Sequence, residues 1–222
     1  MTSEDNSPLS WKKLLGQIAP RPVMEERSIF LRLGPAGRTY ARLRLMDALG
    51  MRKSNQRLVP PTARSFLFVC SGNIMRSPMA ELMLGRALSE SQREGIRALS
   101  AGIHAIPGTE AHPRARAAAP DFGLRLDQHR SRLLTWEMIR DADAVFAMDF
   151  QNQAELLTQF PESREKIFLL SAYAEGEQRG RAIADPYFGD EEETSRCHNL
   201  LQLCINNLVK SMWPVTRGVT QP

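Results

Sequence analysis

The sequence predicts an α/β fold: a small doubly wound sandwich whose four-stranded parallel sheet carries helices on both faces, preceded by an N-terminal extension. Two observations predict this fold class. Short apolar segments bounded by turn residues alternate along residues 65–212 with longer segments of helical periodicity. Such alternation is typical of parallel strands joined by helical crossovers. In addition, the first 65 residues differ in charge from the remainder, which separates the extension from the main domain.

The extension is basic. Residues 1–65 hold 12 Lys and Arg against 5 Asp and Glu, a net charge of +7, whereas the remaining 157 residues hold 17 against 20, a net charge of −3. The Pro60-Pro61 pair lies near this change, and the polar residues 54–57 before it complete a linker. We therefore predict an extension and linker over residues 1–62 and the main domain over residues 63–222.

Two helices are predicted in the extension, over residues 11–18 and 40–51. The second is amphipathic, with Leu43, Met46 and Leu49 on one face and arginines around it. A helix of this type most often packs on the neighbouring domain or on a second copy of itself, and the alternative is contact with an anionic membrane surface. No nucleic-acid recognition motif is present, so we expect no nucleic-acid partner.

The main domain begins with a strand and alternates thereafter. Its strands are predicted over residues 65–70, 97–100, 144–148 and 166–170. Its helices are predicted over residues 78–90, 113–122, 152–159 and 193–212. In sheets of this kind ligands bind outside the carboxyl ends of the strands, so the residues that directly follow the first strand are the first candidates for a site.

A phosphate-binding loop is predicted where the first strand ends. The sequence there is Cys70-Ser71-Gly72-Asn73-Ile74-Met75-Arg76-Ser77-Pro78. The backbone N–H groups of a loop before a helix N-terminus, together with the helix dipole, bind an anion such as phosphate and stabilise a thiolate. Pro78 suits the first turn of the helix that follows, and Gly72 permits close approach of the backbone.

The side chains of this loop suit nucleophilic attack on phosphorus. Cys70 is the candidate nucleophile, and Arg76 can hold two phosphoryl oxygens at once. Ser77 can donate a hydrogen bond to the sulfur when the sulfur becomes a leaving group. The plain alternative is that Cys70 is a small buried apolar residue. The apolar strand, the Gly-Asn pair, the Arg-Ser-Pro segment and the apolar helix together favour the functional interpretation.

These residues closely resemble the signature of the low-molecular-weight protein tyrosine phosphatase family. Further segments match the family in order and spacing, so that the resemblance covers roughly residues 65–212: Leu99-Ser100-Ala101-Gly102, Gly123-Leu124, Asp127-Gln128-His129-Arg130-Ser131-Arg132, Ala144-Val145-Phe146-Ala147-Met148-Asp149 and Ala184-Asp185-Pro186-Tyr187. The resemblance implies an enzyme that hydrolyses phosphotyrosine through a cysteinyl-phosphate intermediate, without cofactor or metal. It implies catalysis by Cys70, Arg76 and Asp185, with Asp185 protonating the leaving oxygen and later activating water.

The resemblance also implies supporting residues. The phosphate-binding loop comprises Ser71, Gly72, Asn73, Ile74, Met75 and Ser77. Around it the resemblance implies Ser100, His129 and Asp149 as supporting polar residues, and Tyr187 and Phe188 as the wall against the substrate. Two departures stand out. Met75 occupies the position of the family's usual second cysteine, so no adjacent thiol can form a disulfide with Cys70. His104, Ala105, Ile106 and Pro107 stand where many relatives carry an aromatic wall residue.

Other chemistries on the same loop remain as alternatives. Phosphoarginine phosphatases tend to carry a smaller, polar residue where this chain has Ile74, whose bulk favours a flat phenyl ring. Arsenate reduction needs further reactive cysteines, whereas Cys197 and Cys204 lie on one stripe of a predicted helix and are interpreted as core. A non-catalytic phosphate-binding module is the least favoured interpretation, because Cys70 and its catalytic partners are all present.

Composition agrees with an enzyme of the cytoplasm. The chain is 42% hydrophobic and 24% charged, as globular proteins are. No apolar run approaches the roughly 18 residues of a membrane span, and the first residues do not have the pattern of a signal peptide. Three cysteines are a small, odd number, which gives no disulfide framework and favours a reducing compartment. We expect a cytoplasmic location and a tyrosine-phosphorylated protein as substrate partner, with a homo-oligomer left open.

Overall fold

Four parallel strands form the predicted sheet, in the order β2-β1-β3-β4. The computed structural model describes residues 21–51 and 58–214. The strands are β1 (Ser65–Cys70), β2 (Arg97–Gly102), β3 (Ala144–Ala147) and β4 (Ile167–Leu169). Phe68 of β1 lies opposite Ser100 of β2 on one side and opposite Phe146 of β3 on the other. The predicted fold class is therefore confirmed.

Helices connect and flank these strands. They are α1 (Arg21–Arg32), α2 (Gly37–Ala48), α3 (Arg76–Glu90), α4 (Pro113–Ala118), α5 (Trp136–Asp141), α6 (Phe150–Gln159) and α7 (Glu191–Met212). Short 3-10 helices span Gly34–Ala36, Ala119–Phe122, Pro161–Lys166, Leu170–Tyr173, Gly176–Gln178 and Pro186–Phe188. Within residues 21–51 and 58–214, no helix is both long enough and apolar enough to cross a membrane.

The predicted helices differ from the observed ones mainly at their ends. The helix predicted over residues 40–51 begins earlier, at Gly37, and ends at Ala48. Two helices were missed: α1, and α5, whose six residues are too short to show a periodicity. The helix predicted over residues 11–18 and the linker residues 54–57 lie outside the described part of the chain.

The sheet divides the core into two layers. Phe66, Phe68 and Phe146 point to one face, where Phe68 and Phe146 stack with ring centroids 5.3 Å apart beneath α3 and α7. Leu67 and Val69 point to the opposite face and pack with α5 and α6. Successive side chains of a strand point to opposite faces of the sheet. Because both faces of this sheet are covered, its strands carry apolar residues at nearly every position.

The extension joins the second layer. Ala36 and Tyr40 are buried in the same cluster as Leu67 and Val69. Near the linker, the buried Val59 belongs to the other layer, and its backbone N–H donates to the Tyr173 hydroxyl at 2.9 Å. Residues before the predicted domain start at residue 63 therefore contribute to both layers of the core.

The strand order creates a crevice beside β1. The chain leaves β1 towards β2 on one side and later returns to form β3 on the other side, so the connections diverge at the carboxyl end of β1. Ligands in open α/β sheets bind at such a point. Cys70 ends β1, and Asp149 follows β3. The topology thus brings two predicted site residues, 79 positions apart in the sequence, to one edge of the sheet.

Candidate active site

The loop between β1 and α3 wraps around the Cys70 sulfur. The Asn73 N–H donates to Cys70 Sγ at 3.2 Å, and Ser77 Oγ lies 3.0 Å from the same sulfur. Because α3 begins at Arg76, with Met75 as its N-cap residue, the positive end of the helix dipole faces the loop. These are the donors that a thiolate or a phosphate oxygen requires.

Asn73 holds the loop from inside. Its φ of 54° lies in the left-handed region, and its side chain is completely buried. Asn73 Nδ2 donates to Ser77 Oγ at 2.9 Å and to Ser100 Oγ at 2.8 Å, while Asn73 Oδ1 accepts from the Arg132 N–H at 2.8 Å. Asn is one of the few residues with a side chain that visits this backbone region readily, which explains its use here.

His129 supports the same residue. Its Nε2 lies 2.7 Å from the Asn73 carbonyl oxygen, and since a carbonyl can only accept, Nε2 carries the hydrogen. Burial lowers the pKa of His129, although the hydrogen bond to Asn73 acts in the opposite direction. His129 therefore holds the loop by donating to the Asn73 carbonyl.

A glycine is required behind the loop at Gly102. A Cβ there would lie 2.6 Å from the Ser71 carbonyl oxygen and 2.8 Å from the Asn73 nitrogen. At Gly72, by contrast, a Cβ would meet only the Ile74 side chain, at an ordinary 3.5 Å. A close backbone approach is therefore found between β2 and the loop at Gly102, which lies in a segment that matches the family but to which the sequence analysis had assigned no role.

Arg76 lies almost fully buried between two carboxylates. Its Nη1 donates to Asp149 Oδ2 at 2.6 Å and to the Ile183 carbonyl at 3.0 Å, and its Nη2 pairs with Asp185. Burial alone would lower the pKa of Arg76, but the charges of Asp149, Asp185 and Cys70 outweigh it, so the pKa is raised. The guanidinium is thus held charged at the base of the site.

Asp185 occupies the rim of the site. Its side chain is about two-fifths exposed, and its Oδ1 accepts from the Tyr187 N–H at 3.2 Å, which caps the 3-10 helix Pro186–Phe188. Asp185 therefore starts this turn and also reaches Arg76. Tyr187 and Phe188 follow with ring centroids 4.9 Å apart, and Phe188 is 95% exposed.

These groups line one cavity of about 940 Å³. The predicted residues on its surface are Cys70, Ser71, Gly72, Ile74, Met75, Arg76, Asp149, Asp185, Tyr187 and Phe188. Asn73, Ser77, Ser100 and His129 lie behind the loop instead, in its hydrogen-bond network. The structure therefore brings every predicted residue to the cavity or to the layer directly behind it.

Several residues at the site were not predicted. Glu81 accepts from Ser100 Oγ and from Arg132 Nη2 at 2.6 Å, and so ties the network behind the loop to α3. Glu81 lies four residues after Ser77, about one helical turn, and this spacing could have indicated from the sequence that both lie on the same face of α3. Arg32 and Leu33 of the extension also line the cavity, and no sequence pattern indicated this position.

His104 and Glu155 form a further pair at the cavity, with His104 Nε2 2.6 Å from Glu155 Oε2. Burial raises the pKa of Glu155, while His104 opposes the shift. His104 belongs to the segment 104–107 that departs from the family pattern, and it lines the cavity together with Glu155.

Cys197 and Cys204 are buried on α7, as predicted. Burial raises the pKa of each thiol to about 12; for Cys197 the charge of Arg76 opposes this shift, and the charges of Asp185 and Cys70 add to it. Cys197 therefore lies close enough to the site for its charges to act on the thiol. Among the described residues, no group of three or more His, Cys, Asp or Glu side chains is arranged to hold a metal ion.

Comparisons with known proteins agree with this geometry. A protein-arginine-phosphatase of Bacillus subtilis is 32% identical over 146 residues, which are 66% of this chain and 95% of that protein. The low molecular weight protein-tyrosine-phosphatase Etp of Escherichia coli K12 is 33% identical over 138 residues, which are 62% of this chain and 87% of that one. The tyrosine phosphatase Wzb of Escherichia coli K30, solved in complex with sulphate, has a TM-score of 0.62 at 27% identity and covers 68% of this chain and 100% of its own. A profile described as low molecular weight phosphotyrosine protein phosphatase matches residues 65–214, and the chain belongs to this family.

Proposed function

We propose that the protein hydrolyses phosphotyrosine in proteins, and small aryl phosphates, through a cysteinyl-phosphate intermediate. One observation carries the proposal: a sulfur with N–H and hydroxyl donors, a buried guanidinium and an exposed carboxylate face one cavity. These are the groups needed to attack phosphorus, to bind its oxygens and to protonate the leaving group.

In the first step the Cys70 thiolate attacks phosphorus. The S–P bond forms as the bond from phosphorus to the aryl oxygen breaks, and Asp185 gives its proton to that oxygen. Arg76 and the loop N–H groups hold the phosphoryl oxygens. Arg76 also pairs with Asp185, so the group that holds the phosphoryl oxygens lies beside the proton donor.

In the second step water removes the phosphoryl group. Asp185, now a carboxylate, accepts a proton from water, the water oxygen attacks phosphorus and the S–P bond breaks. The Ser77 hydroxyl, 3.0 Å from Cys70 Sγ, donates a hydrogen bond to the departing thiolate. The products are inorganic phosphate and the free enzyme.

Phosphoarginine is the second candidate substrate, since relatives named for it match as well as those named for phosphotyrosine. The guanidinium of phosphoarginine would require a carboxylate near the reacting phosphate. Here Asp149 and Asp185 are both engaged by Arg76, whereas Ile74 and Tyr187 offer apolar surface at the cavity. This distribution favours a phenyl ring. Arsenate reduction is not supported, because the two remaining thiols are buried and protonated.

For the extension we infer packing on the main domain as the primary role, since Ala36 and Tyr40 are buried there. Its surface still exposes three apolar side chains, Leu45, Leu49 and Met51. Sedimentation would test association with a second copy through this surface, and vesicle binding would test association with an anionic membrane. A cytoplasmic location fits a thiolate nucleophile, which persists in a reducing compartment.

The test compares leaving groups and phospho-peptides. Asp185→Ala should slow hydrolysis of phenyl phosphate by about 10²–10⁴-fold and that of nitrophenyl phosphate far less, because the better leaving group needs no proton. Asp121→Ala is the matched control, since Asp121 is an exposed aspartate of another 3-10 helix, outside the cavity. Cys70→Ser should abolish turnover yet still bind phosphate.

Equal losses on the two aryl phosphates would remove Asp185 from the general-acid role. Phosphotyrosine, phosphoserine and phosphoarginine peptides of one sequence, with arsenate and a thiol donor as a further arm, decide the substrate class. Faster turnover of the phosphoarginine peptide would replace the main proposal by the second candidate, and turnover of phosphoserine or arsenate alone would overturn both.

A further inference from the structure

The hairpin of α1 and α2 forms one side of the mouth of the catalytic cavity. Arg32 and Leu33, at the end of α1, line that cavity together with Cys70 and Asp149. Both residues precede the segment that matches the family profile, which begins at residue 65. The cavity of this chain therefore has a wall that the matched domain alone does not supply.

The hairpin is fixed in place by several contacts. The buried Tyr40 donates from its hydroxyl to Glu26 Oε2 at 2.7 Å, and Arg44 binds the other oxygen of Glu26 through Nη2 at 2.6 Å and Nε at 3.0 Å. The Arg44 guanidinium also lies 5.6 Å from the ring centroid of Phe150 in α6. A Cβ at Gly37 would lie 2.5 Å from the Phe30 carbonyl oxygen, so the two helices cross closely.

Arg32 is the exposed guanidinium at this mouth. Its Nη2 donates to Gln151 Oε1 at 3.1 Å, and Gln151 is neutral. Among the described residues no carboxylate lies within ion-pair distance of Arg32; its charge acts on Glu155, whose own partner is His104. The other guanidinium of the cavity, that of Arg76, is buried and already pairs with two carboxylates.

We propose that Arg32 binds an acidic side chain, Asp or Glu, that flanks the phosphotyrosine in the protein substrate, and so makes the extension a determinant of specificity. The inference rests on the proposed function. With the phosphate on the loop at the base, the substrate backbone crosses the mouth, where Leu33 and the exposed Phe188 offer apolar contacts and Arg32 offers the charge. The carboxylates of the cavity already have partners, since Asp185 pairs with Arg76 and Glu155 with His104, which leaves Arg32 as the charge available to the peptide.

The experiment uses the full-length protein and one phosphotyrosine peptide in which a single Glu, Gln or Lys is placed in turn at positions on either side. The ratio of kcat/KM for the Glu peptide to that for the Lys peptide is measured, and each value is normalised to the nitrophenyl phosphate rate of the same variant. At the most sensitive position the parent should favour Glu over Gln by about twofold to fivefold, the range expected of one exposed ion pair.

Arg32→Gln should remove this preference, and Arg32→Glu should invert it in favour of the Lys peptide. Arg42→Gln is the control, because Arg42 is an exposed arginine of the same hairpin outside the catalytic cavity and its loss should leave the ratio unchanged. Raising the salt concentration to about 0.5 M should flatten the parent's preference, since exposed charges are then screened.

The outcomes separate this inference from the proposed function. If neither peptides nor aryl phosphates are hydrolysed, the proposed function fails. If the peptides are hydrolysed and the Glu-to-Lys ratio is the same in the parent and in Arg32→Glu, the role of Arg32 is refuted. A merely structural role of Arg32 would change all peptides alike, whereas inversion by charge reversal requires a direct electrostatic contact.

Discussion

Asn73 offers the sharpest test of how the phosphate-binding loop is held. Asn73→Ala removes three buried side-chain hydrogen bonds, to Ser77, Ser100 and Arg132, each worth about 1 kcal/mol. It also leaves alanine at a φ of 54°, which costs about 1 kcal/mol. The free energy of unfolding should therefore fall by about 4 kcal/mol. Asn73→Gly loses the same bonds but adopts this φ freely, so it should fall by about 3 kcal/mol.

Urea unfolding in phosphate-free buffer measures both losses, with the slope of unfolding free energy on urea unchanged. Gln92 is the matched control, because its φ of 50° is also left-handed while its side chain is exposed. Gln92→Gly should be about 1 kcal/mol more stable than Gln92→Ala, with no larger loss in either. Equal stability of the two Asn73 variants would refute the backbone part of the reasoning, and losses below about 1 kcal/mol in both would refute the hydrogen-bond part.

Two further predictions concern buried charge. Asp149 both pairs with Arg76 and caps α6, where its Oδ1 accepts from the first turn at 2.7 Å. Asp149→Asn keeps a good cap but deprives Arg76 of one of its two carboxylates, so it should lower the free energy of unfolding by about 2 kcal/mol. Asp149→Ala also loses the cap and should cost about 1 kcal/mol more. Urea midpoints that rank the two variants in reverse would contradict this. His198 is fully buried with both ring nitrogens unpartnered among the described residues, and burial lowers its pKa to about 4 from the ordinary 6.5. Because only the unfolded chain binds a proton between these values, the stability contribution is complete above pH 6.5, and about 3 kcal/mol is lost as the pH falls to about 4. His198→Leu should remove this part of the pH dependence. If the urea midpoint changes with pH in the same way in parent and variant, His198 is not the cause.

The elements that the sequence predicted well are those set by neighbouring residues. The strand that ends at Cys70, the loop and the helix that follows are contiguous, so apolar periodicity, Gly72 and Pro78 sufficed to predict a phosphate-binding loop at a helix N-terminus. The family resemblance then supplied Asp185 and the residues behind the loop. The four-strand alternation predicted the parallel sheet, and the sheet in turn predicted the edge at which the site lies.

Contacts between distant segments depended on the tertiary structure. Arg76 meets Asp149 and Asp185, which lie 73 and 109 residues further along the chain, and no local pattern states that one guanidinium serves both. A glycine is needed at position 102 because β2 passes directly behind the loop and leaves no room for a Cβ. Arg32 reached the cavity because Tyr40 and its neighbours dock the extension on the second layer of the core. Sequence alone determined which chemistry the chain carries, because strand, loop and helix signals are local. Packing alone decided which charged side chains surround the Cys70 loop, because residues far apart in sequence become neighbours only when the layers of the core pack together.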